Sequence, residues 1–238
     1  MQIARGSKDS KTVWEIQEWL CYHNHRVMLD GDFGSATEDA VKQFQLEKAL
    51  AINGIVDDPT WGQMLFPMRK VSTAPDLRSA GVSLGKAIAI IANNHLAVHP
   101  IEIGGQNMGP WVRFYTHGNQ GEEWPWCAGF ASTIVLQAYD AIGKSRGSAF
   151  RFTLSCDRLG AYAMSKGTFT KTPSKGSLFL VRNPKVAGDW IHTGIVVGVN
   201  GDVVYTAEGN TNEGGSREGY GAFRRTRAGD KLDYVTLV

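Results

Sequence analysis

Apolar residues recur at helical spacing through the first half of the chain and at alternating spacing through the last third. Val13, Ile16 and Leu20 follow Ser10 and Thr12, two residues suited to cap a helix. A glycine-punctuated turn, Asp30-Gly31-Asp32-Phe33-Gly34, leads to Ser35-Ala36-Thr37-Glu38, whose Ser-x-x-Glu spacing predicts a capping box. A second helix then buries Ala40, Val41 and Phe44. Asp58-Pro59 opens a short third helix carrying Trp61, Met64 and Leu65, with proline in the first turn, where its missing N–H costs nothing. From Phe66-Pro67 to Gly81 the periodicity lapses and Pro, Ser, Thr and charge gather, which predicts a linker.

A further helix starts after Ser83, with Leu84, Ala87, Ile88, Ile91 and His95 on its buried side. Glu102 to Pro110 is too rich in glycine and amides for core and reads as a loop. Helical spacing resumes in Phe130, Ile134, Val135, Ala138 and Ile142, and again from about Ser155 to Lys166, where Gly167 is placed for a left-handed stop. Beyond that the period becomes two. Strands are predicted over Ser177 to Val181, Thr193 to Val199, Val203 to Ala207 and Leu232 to Val238, with Asn200-Gly201 as a hairpin turn and Gly209 to Gly221 as a glycine-rich loop. Helices followed by an antiparallel sheet make an α+β chain. The expected division is a helical module at 1–68, a linker at 69–80 and a larger domain at 81–238.

Candidate chemistry centres on Trp124-Pro125-Trp126-Cys127, which puts a thiol at the mouth of a helix, where unpaired backbone N–H groups favour the thiolate. Such a nucleophile needs a histidine, and the histidine needs a group to orient it. Of six histidines, His192 stands at the start of a strand whose hairpin partner ends in Glu208-Gly209-Asn210. His95 reads as core or surface, His99 as loop, and His117 is the runner-up base; His23 and His25 read as surface residues.

Register discriminates further. A two-residue loop at Asn200-Gly201 puts His192 opposite Gly209 and mixes polar with apolar residues on one face. A loop one residue longer, with a glycine bulge, pairs Val199 with Val203 and sets His192 opposite Asn210. In that register Thr193, Ile195, Val197, Val199, Val203, Tyr205 and Ala207 share one face. His192, Gly194, Val196, Gly198, Val204, Thr206, Glu208 and Asn210 share the other, with Gly194 leaving space. The second register is the one expected.

Charge and cysteine usage narrow the setting. Residues 1–68 carry 6 Lys+Arg against 10 Asp+Glu, while 69–238 carry 19 against 13. The basic residues are dispersed apart from Arg224, Arg225 and Arg227, which read as a solvated face, so a nucleic-acid partner is not expected. Cys21, Cys127 and Cys156 form no Cys-x-x-Cys pair, and neither a disulfide framework nor a thiolate zinc site is indicated. Asp30-Gly31-Asp32 lacks the alternating ligands of an EF-hand, and no metal or cofactor is expected. Met1-Gln2-Ile3-Ala4-Arg5-Gly6 lacks a signal pattern and no apolar run approaches about 20 residues. Synthesis in the cytoplasm without membrane insertion, followed by release or delivery to the place of action, is the expectation, as is a monomer.

Two resemblances give these features a direction. Arg5-Gly6-Ser7, Val13-x-x-Ile16-Gln17-x-x-Leu20, Asp30-Gly31-x-Phe33-Gly34-x-x-Thr37-x-x-Ala40-Val41-x-x-Phe44-Gln45 and Asn53-Gly54-Ile55-Val56-x-x-x-Thr60-Trp61 resemble the peptidoglycan-binding domain 1 family. That resemblance implies a small helical module that docks on cell-wall glycopeptide. Glu102-x-x-x-x-Asn107-x-Gly109-Pro110, Pro125-Trp126-Cys127-Ala128-Gly129-Phe130, His192-Thr193-Gly194-Ile195-Val196 and Glu208-Gly209-Asn210-Thr211 are similar to the CHAP family of papain-like cysteine amidases and endopeptidases. Over residues 81–238 the resemblance implies Cys127 as nucleophile, His192 as general base and acid, Glu208 as the orienting residue and Asn210 as a fourth polar partner. Trp124, Trp126 and the loop with Glu102, Gln106 and Asn107 are expected to wall a cleft for stem peptide. The implied activity is cleavage of a peptidoglycan amide bond through a thioester, in a phage endolysin. The alternatives are a secreted antibacterial effector with the same chemistry, or a non-catalytic wall-binding protein.

Overall fold

The computed structural model describes residues 2–214 and 218–237. Met1, residues 215–217 of the predicted glycine-rich loop, and Val238 of the last predicted strand lie outside the described residues.

The front of the chain is helical, closed by a short antiparallel ribbon of β1 (Gln2–Ile3) and β2 (Val56–Asp57). Helix α1 (Ser10–Tyr22) is capped by Asp9, one residue earlier than the expected serine. The Asp9 carboxylate accepts from the Thr12 amide at 3.1 Å and hydroxyl at 2.7 Å. Helix α2 (Ser35–Glu47) begins without the predicted capping box, because its cap is Gly34 and Ser35 is already helical. Glu38 instead pairs with Lys42 one turn on, at 2.5 Å, and with Arg5 at 3.6 Å. In α3 (Asp58–Met64) the cap is Asp57, which accepts from the Thr60 amide at 2.9 Å.

Two buried glutamines organise this unit. Gln17 accepts from the Asp30 and Gly31 amides at 3.1 and 2.9 Å, and donates to Asp30 Oδ1, the Asp32 carbonyl and Thr37 Oγ1. Gln45 repeats the pattern one helix later. It accepts from the Asn53 and Gly54 amides at 3.0 and 2.9 Å, and donates to Asn53 Oδ1, the Ile55 carbonyl and Thr60 Oγ1. Each glutamine thus satisfies a glycine turn that has no strand or helix partner for those amides. Around them Val13, Ile16, Leu20, Phe33, Val41, Phe44 and Met64 are fully buried.

The segment expected to be a linker is partly ordered as α4 (Phe66–Ser72), with Pro67 in its first turn. Its Val71 side chain is buried and the Val71 carbonyl accepts from Gln137 Nε2 at 2.8 Å. Proline and polar composition hid this helix, which exists because Met68 and Val71 find tertiary partners in the core. His23 is likewise no surface residue: half-buried, it bonds the Met64 carbonyl at 2.9 Å and packs on Phe44. His25 pairs with Glu47 at 3.0 Å.

The remainder is a helical layer on a sheet. Helix α5 (Leu84–Leu96) is capped by Ser83 and buries Leu84, Ala87, Ile88, Ile91 and His95, as its pattern predicted. Helix α6 (Pro110–Thr116) was not legible, being seven residues between a glycine-rich loop and His117. Helix α7 (Cys127–Ala141) is buried nearly all round, and α8 (Cys156–Lys166) stops at Gly167 with φ of 68°. The strands are β3 (Phe169–Thr170), β4 (Leu178–Arg182), β5 (Trp190–Asn200), β6 (Val203–Thr211), β7 (Gly221–Ala228) and β8 (Asp233–Val235). They form one antiparallel sheet in the order β3-β8-β4-β5-β6-β7. The fold is therefore α+β, with α5, α7 and α8 packed on the sheet. Both β3 and β7 escaped the sequence reading. No helix among the described residues is long and apolar enough to cross a membrane.

The β5–β6 hairpin corrects the expected register in one half and keeps it in the other. Asn200 pairs with Val203, so the loop is Gly201-Asp202, two residues rather than three and one position later than Asn200-Gly201. The additional residue sits inside the strand, where the register shifts between Val196 and Gly198 and leaves Val197 as a bulge. On the far side of the bulge Ile195 pairs with Ala207 and Val196 with Thr206, the pairing that puts His192 and Glu208 on a common face. Gly194 does not leave open space. A Cβ there would lie 2.6 Å from the Ala207 carbonyl oxygen and 2.8 Å from the Phe179 ring.

The helical front and the layered domain touch through α1 and α6. Arg113 donates to both carboxylate oxygens of buried Glu18, at 2.9 and 2.5 Å, and Trp19 meets Trp111 edge-on. Tyr22 donates its hydroxyl to the Val98 carbonyl.

Candidate active site

Cys127 is the first residue of α7, preceded by Trp126 at the cap position, and no side chain caps that helix. The N–H groups of the first turn therefore have no acceptor within the helix and none from a capping side chain. The turn is held from behind. Trp126 is fully buried and its ring stacks on Tyr115 at 5.4 Å between centroids with 6° between planes. Gly129 lies so close to α6 that a Cβ would come 2.2 Å from the Tyr115 carbonyl oxygen. Tyr115 is fixed in turn by His95, whose Nδ1 is 2.8 Å from the tyrosine hydroxyl and whose Nε2 is 2.8 Å from Gln137 Oε1. The amide oxygen requires a proton on Nε2, so Nδ1 accepts from the tyrosine. Burial holds His95 neutral, with its pKa down at about 4. His95 is thus a structural core residue.

The Cys127–His192–Glu208 arrangement of the sequence reading comes together. His192 and Glu208 are both buried, with Nε2 to Oε2 at 2.9 Å. The other ring nitrogen, Nδ1, is buried and makes no full hydrogen bond, yet the ring stands close enough to the Cys127 sulfur for each to shift the other's protonation. Burial disfavours a charged ring, but the cysteine sulfur and the Glu208 carboxylate together outweigh it and raise the His192 pKa to about 9. Burial likewise works against the Glu208 charge, and Arg227 with His192 overcomes it, lowering the carboxyl to about 2. The three shifts together favour a thiolate, an imidazolium and a carboxylate.

Three further residues belong to this cluster and were missed. Arg227 on β7 donates Nε to Glu208 Oε1 and Nη2 to Glu208 Oε2, both at 2.6 Å, a bidentate clamp on the orienting carboxylate. Thr206 adds its hydroxyl to Glu208 Oε1 at 2.5 Å. The triplet Arg224, Arg225 and Arg227 had read as a solvated face, but strand alternation turns Arg227 inward over the Phe179 ring. The third is Cys156, the first residue of α8, with its sulfur 3.8 Å from that of Cys127. The Cys156 thiol donating to Cys127 is the largest influence holding the Cys127 pKa well below its usual value, with His192 adding to it against burial. The same contact pushes Cys156 up. In sequence the two cysteines are 29 residues apart and nothing signals the pairing.

Asn210 stands elsewhere than the fourth-partner role required. It has a left-handed backbone, φ of 54°, and its amide serves the loop before the nucleophile. Its Oδ1 accepts from the Trp126 amide at 3.3 Å. Its Nδ2 donates to Glu102 Oε1 at 3.2 Å, Asn107 Oδ1 at 2.9 Å and the Gly219 carbonyl at 3.2 Å. Glu102 also accepts from Trp126 Nε1 at 2.9 Å and from the Asn107 amide at 2.9 Å, and burial raises its pKa. Asn107 is buried and bonds the Glu122 carbonyl. These three residues and Trp126 hold the nucleophile turn, and Glu102 and Asn210 also line a cavity beside it. Trp124 is half-buried and Gln106 exposed, leaving both accessible to a ligand. Gln106, Glu102 and Asn210, together with Glu218 and Tyr220, line a cavity of about 330 Å3. The runner-up base, His117, is exposed at the end of α6 and stacked on Phe152. His99 is exposed, in a left-handed turn.

The start of β5, which carries His192, is pinned on both sides. Asp157 of α8 accepts from the Trp190 amide at 2.7 Å. Buried Asp233 accepts from Trp190 Nε1 at 2.9 Å and from Arg182 Nε at 2.8 Å. No group of three or more His, Cys, Asp or Glu side chains among the described residues is arranged to hold a metal ion.

Comparison with known proteins finds a likeness in the front of the chain. Residues 9–64 match the family model of a putative peptidoglycan binding domain, which supports a wall-binding module and peptidoglycan as partner. No curated protein matches the chain, and no solved structure does.

Proposed function

We propose that the chain is a cysteine hydrolase of peptidoglycan amide bonds, in which the front module holds the wall and a papain-like domain cuts it. The observation that carries this reading is the buried line of Cys127, His192 and Glu208, with Arg227 clamping the carboxylate. The Cys127 thiolate attacks an amide carbonyl, and the oxyanion takes hydrogen bonds from the free N–H groups of the first turn of α7. His192, already protonated, gives its proton to the departing amine, leaving a thioester on Cys127. Neutral His192 then removes a proton from water, which attacks the thioester and releases the carboxylate product; the thiolate and imidazolium are restored. Glu208 keeps the ring turned so that one nitrogen always faces the sulfur.

Binding and cutting reinforce each other, since tethering to an insoluble polymer raises the local substrate concentration. The bond is the muramoyl–L-alanine amide or an amide within the stem peptides and their bridges. Gln106 and Trp124 are the residues placed to meet that peptide. We place the site of action at the wall after release from the cytoplasm, as in a phage endolysin, with delivery as an antibacterial effector the second route.

Digestion of purified walls followed by mass spectrometry of the soluble fragments tests the reading and identifies the bond. New amine and carboxyl ends should appear with the native protein and be absent with Cys127→Ala. Wall cleavage undiminished in that variant would remove the proposed mechanism. A native protein that binds walls and releases nothing would leave a binding protein alone.

A further inference from the structure

Cys156 is a buried nucleophilic group that the proposed hydrolysis does not consume. It starts α8, is held against β5 by the neighbouring Asp157–Trp190 bond, and faces Cys127 across 3.8 Å, sulfur to sulfur. Two sulfurs at that distance are in van der Waals contact, and a bond of about 2.05 Å needs only that remaining gap to close. Both are free thiols, and each sits at the positive end of a different helix. The remaining cysteine, Cys21, bonds the Val27 carbonyl in the helical front and takes no part.

We infer that Cys127 and Cys156 are a redox pair, in which oxidation by a hydroperoxide closes a disulfide that reversibly blocks the nucleophile. The Cys127 thiolate attacks one peroxide oxygen and expels hydroxide, becoming a sulfenic acid. Cys156 then loses its proton and attacks the Cys127 sulfur, and the displaced hydroxide leaves with that proton as water. Two thiols are oxidised by two electrons and one hydrogen peroxide is reduced to two waters. A dithiol reverses the step through a mixed disulfide. Cys156 thereby intercepts the sulfenic acid before a second peroxide can take it to the sulfinic acid, which a dithiol does not reduce. The consequence for function rests on Cys127 being the hydrolase nucleophile, whereas the chemistry of the pair does not.

The test uses the full chain carrying Cys21→Ser, which removes the half-exposed third thiol. Treatment with hydrogen peroxide should yield a protein lighter by two hydrogens, with the Cys127 and Cys156 peptides joined in a non-reducing digest. Wall lysis should be lost on oxidation and return with dithiothreitol. In Cys21→Ser/Cys156→Ser, measured against its own reduced activity, the loss should become irreversible and Cys127 should carry a sulfinic or sulfonic acid. Peroxide that leaves Cys156 as a free thiol while Cys127 over-oxidises would overturn the pair. A joined peptide in a protein that never lyses walls would uphold the pair and overturn the hydrolase. Lysis whose loss to peroxide is irreversible in both proteins would do the opposite.

Discussion

Arg227 grips Glu208 through two hydrogen bonds of 2.6 Å, one to each carboxylate oxygen, from the strand beside the one that carries the glutamate. The carboxylate is wholly buried, so the guanidinium is what allows it to remain charged behind His192.

Replacing that arginine strands a buried charge. Arg227→Met is expected to destabilise the fold by about 3 kcal/mol in a denaturant titration at pH 7. The sign with pH follows from Glu208. Its folded pKa of about 2 lies below the ordinary carboxyl value of 4.5, so its contribution to stability is present above 4.5 and lost as pH falls through about 2. Without Arg227 the folded value rises, and acid unfolding should begin at higher pH than in the native protein.

Activity should fail at the alkaline end through His192. Its pKa, raised from 6.5 to about 9, keeps the ring protonated across neutrality and lets it deprotonate near 9, where the acid that serves the leaving amine is lost. Glu208→Gln removes one of the two influences holding that proton. The alkaline limb of the pH–rate profile should move down, and kcat/KM at pH 7 should drop by about a hundredfold. An unmoved limb would show that Glu208 does not set the histidine.

The glutamine clamps of the front module predict stability without chemistry. Gln45→Ala leaves the Asn53 and Gly54 amides without their acceptor, and should cost about 2 kcal/mol in thermal or denaturant unfolding. Thioester formation at Cys127 with a small soluble peptide substrate should be unchanged while wall retention weakens.

Gly129 tests the seating of the nucleophile. A methyl group there must push α7 off the Tyr115 carbonyl, a strain of about 2 kcal/mol by overpacking. Gly129→Ala should therefore slow alkylation of Cys127 by iodoacetamide, along with lysis, in protein that remains folded by circular dichroism.

What the sequence made legible depended on how each element earns its place. Helices α1, α2, α5, α7 and α8 carry full apolar stripes, and the strands around His192 alternate, so periodicity found them. Helix α4 hangs on Met68, Val71 and a bond from Gln137, contacts invisible before folding. Strand β7 runs Gly-Ala-Phe-Arg-Arg-Thr-Arg-Ala, with arginine on both faces instead of an apolar–polar alternation, which conceals a strand and with it Arg227. Cys127, His192 and Glu208 were legible because helix start, strand start and hairpin parity each constrained one of them. Asn210 shares that parity, yet its left-handed backbone turns the amide to Trp126 and Glu102 instead of the histidine. Motif spacing also overstated Trp126, whose ring belongs to the core.

The bulge at Val197 has a consequence for how this site can change over time. It makes the tip of the hairpin and the half bearing His192 differ in phase by one residue. Because the offset is absorbed inside the strand, Val199, Val203 and Tyr205 project beyond the core and the tip is insulated from the chemistry. Tips of different shape can be exchanged there without rotating His192 away from Glu208, and deleting Val197, the extra residue, would bring the tip into the phase of the half that bears His192 and leave that half's pairing in place.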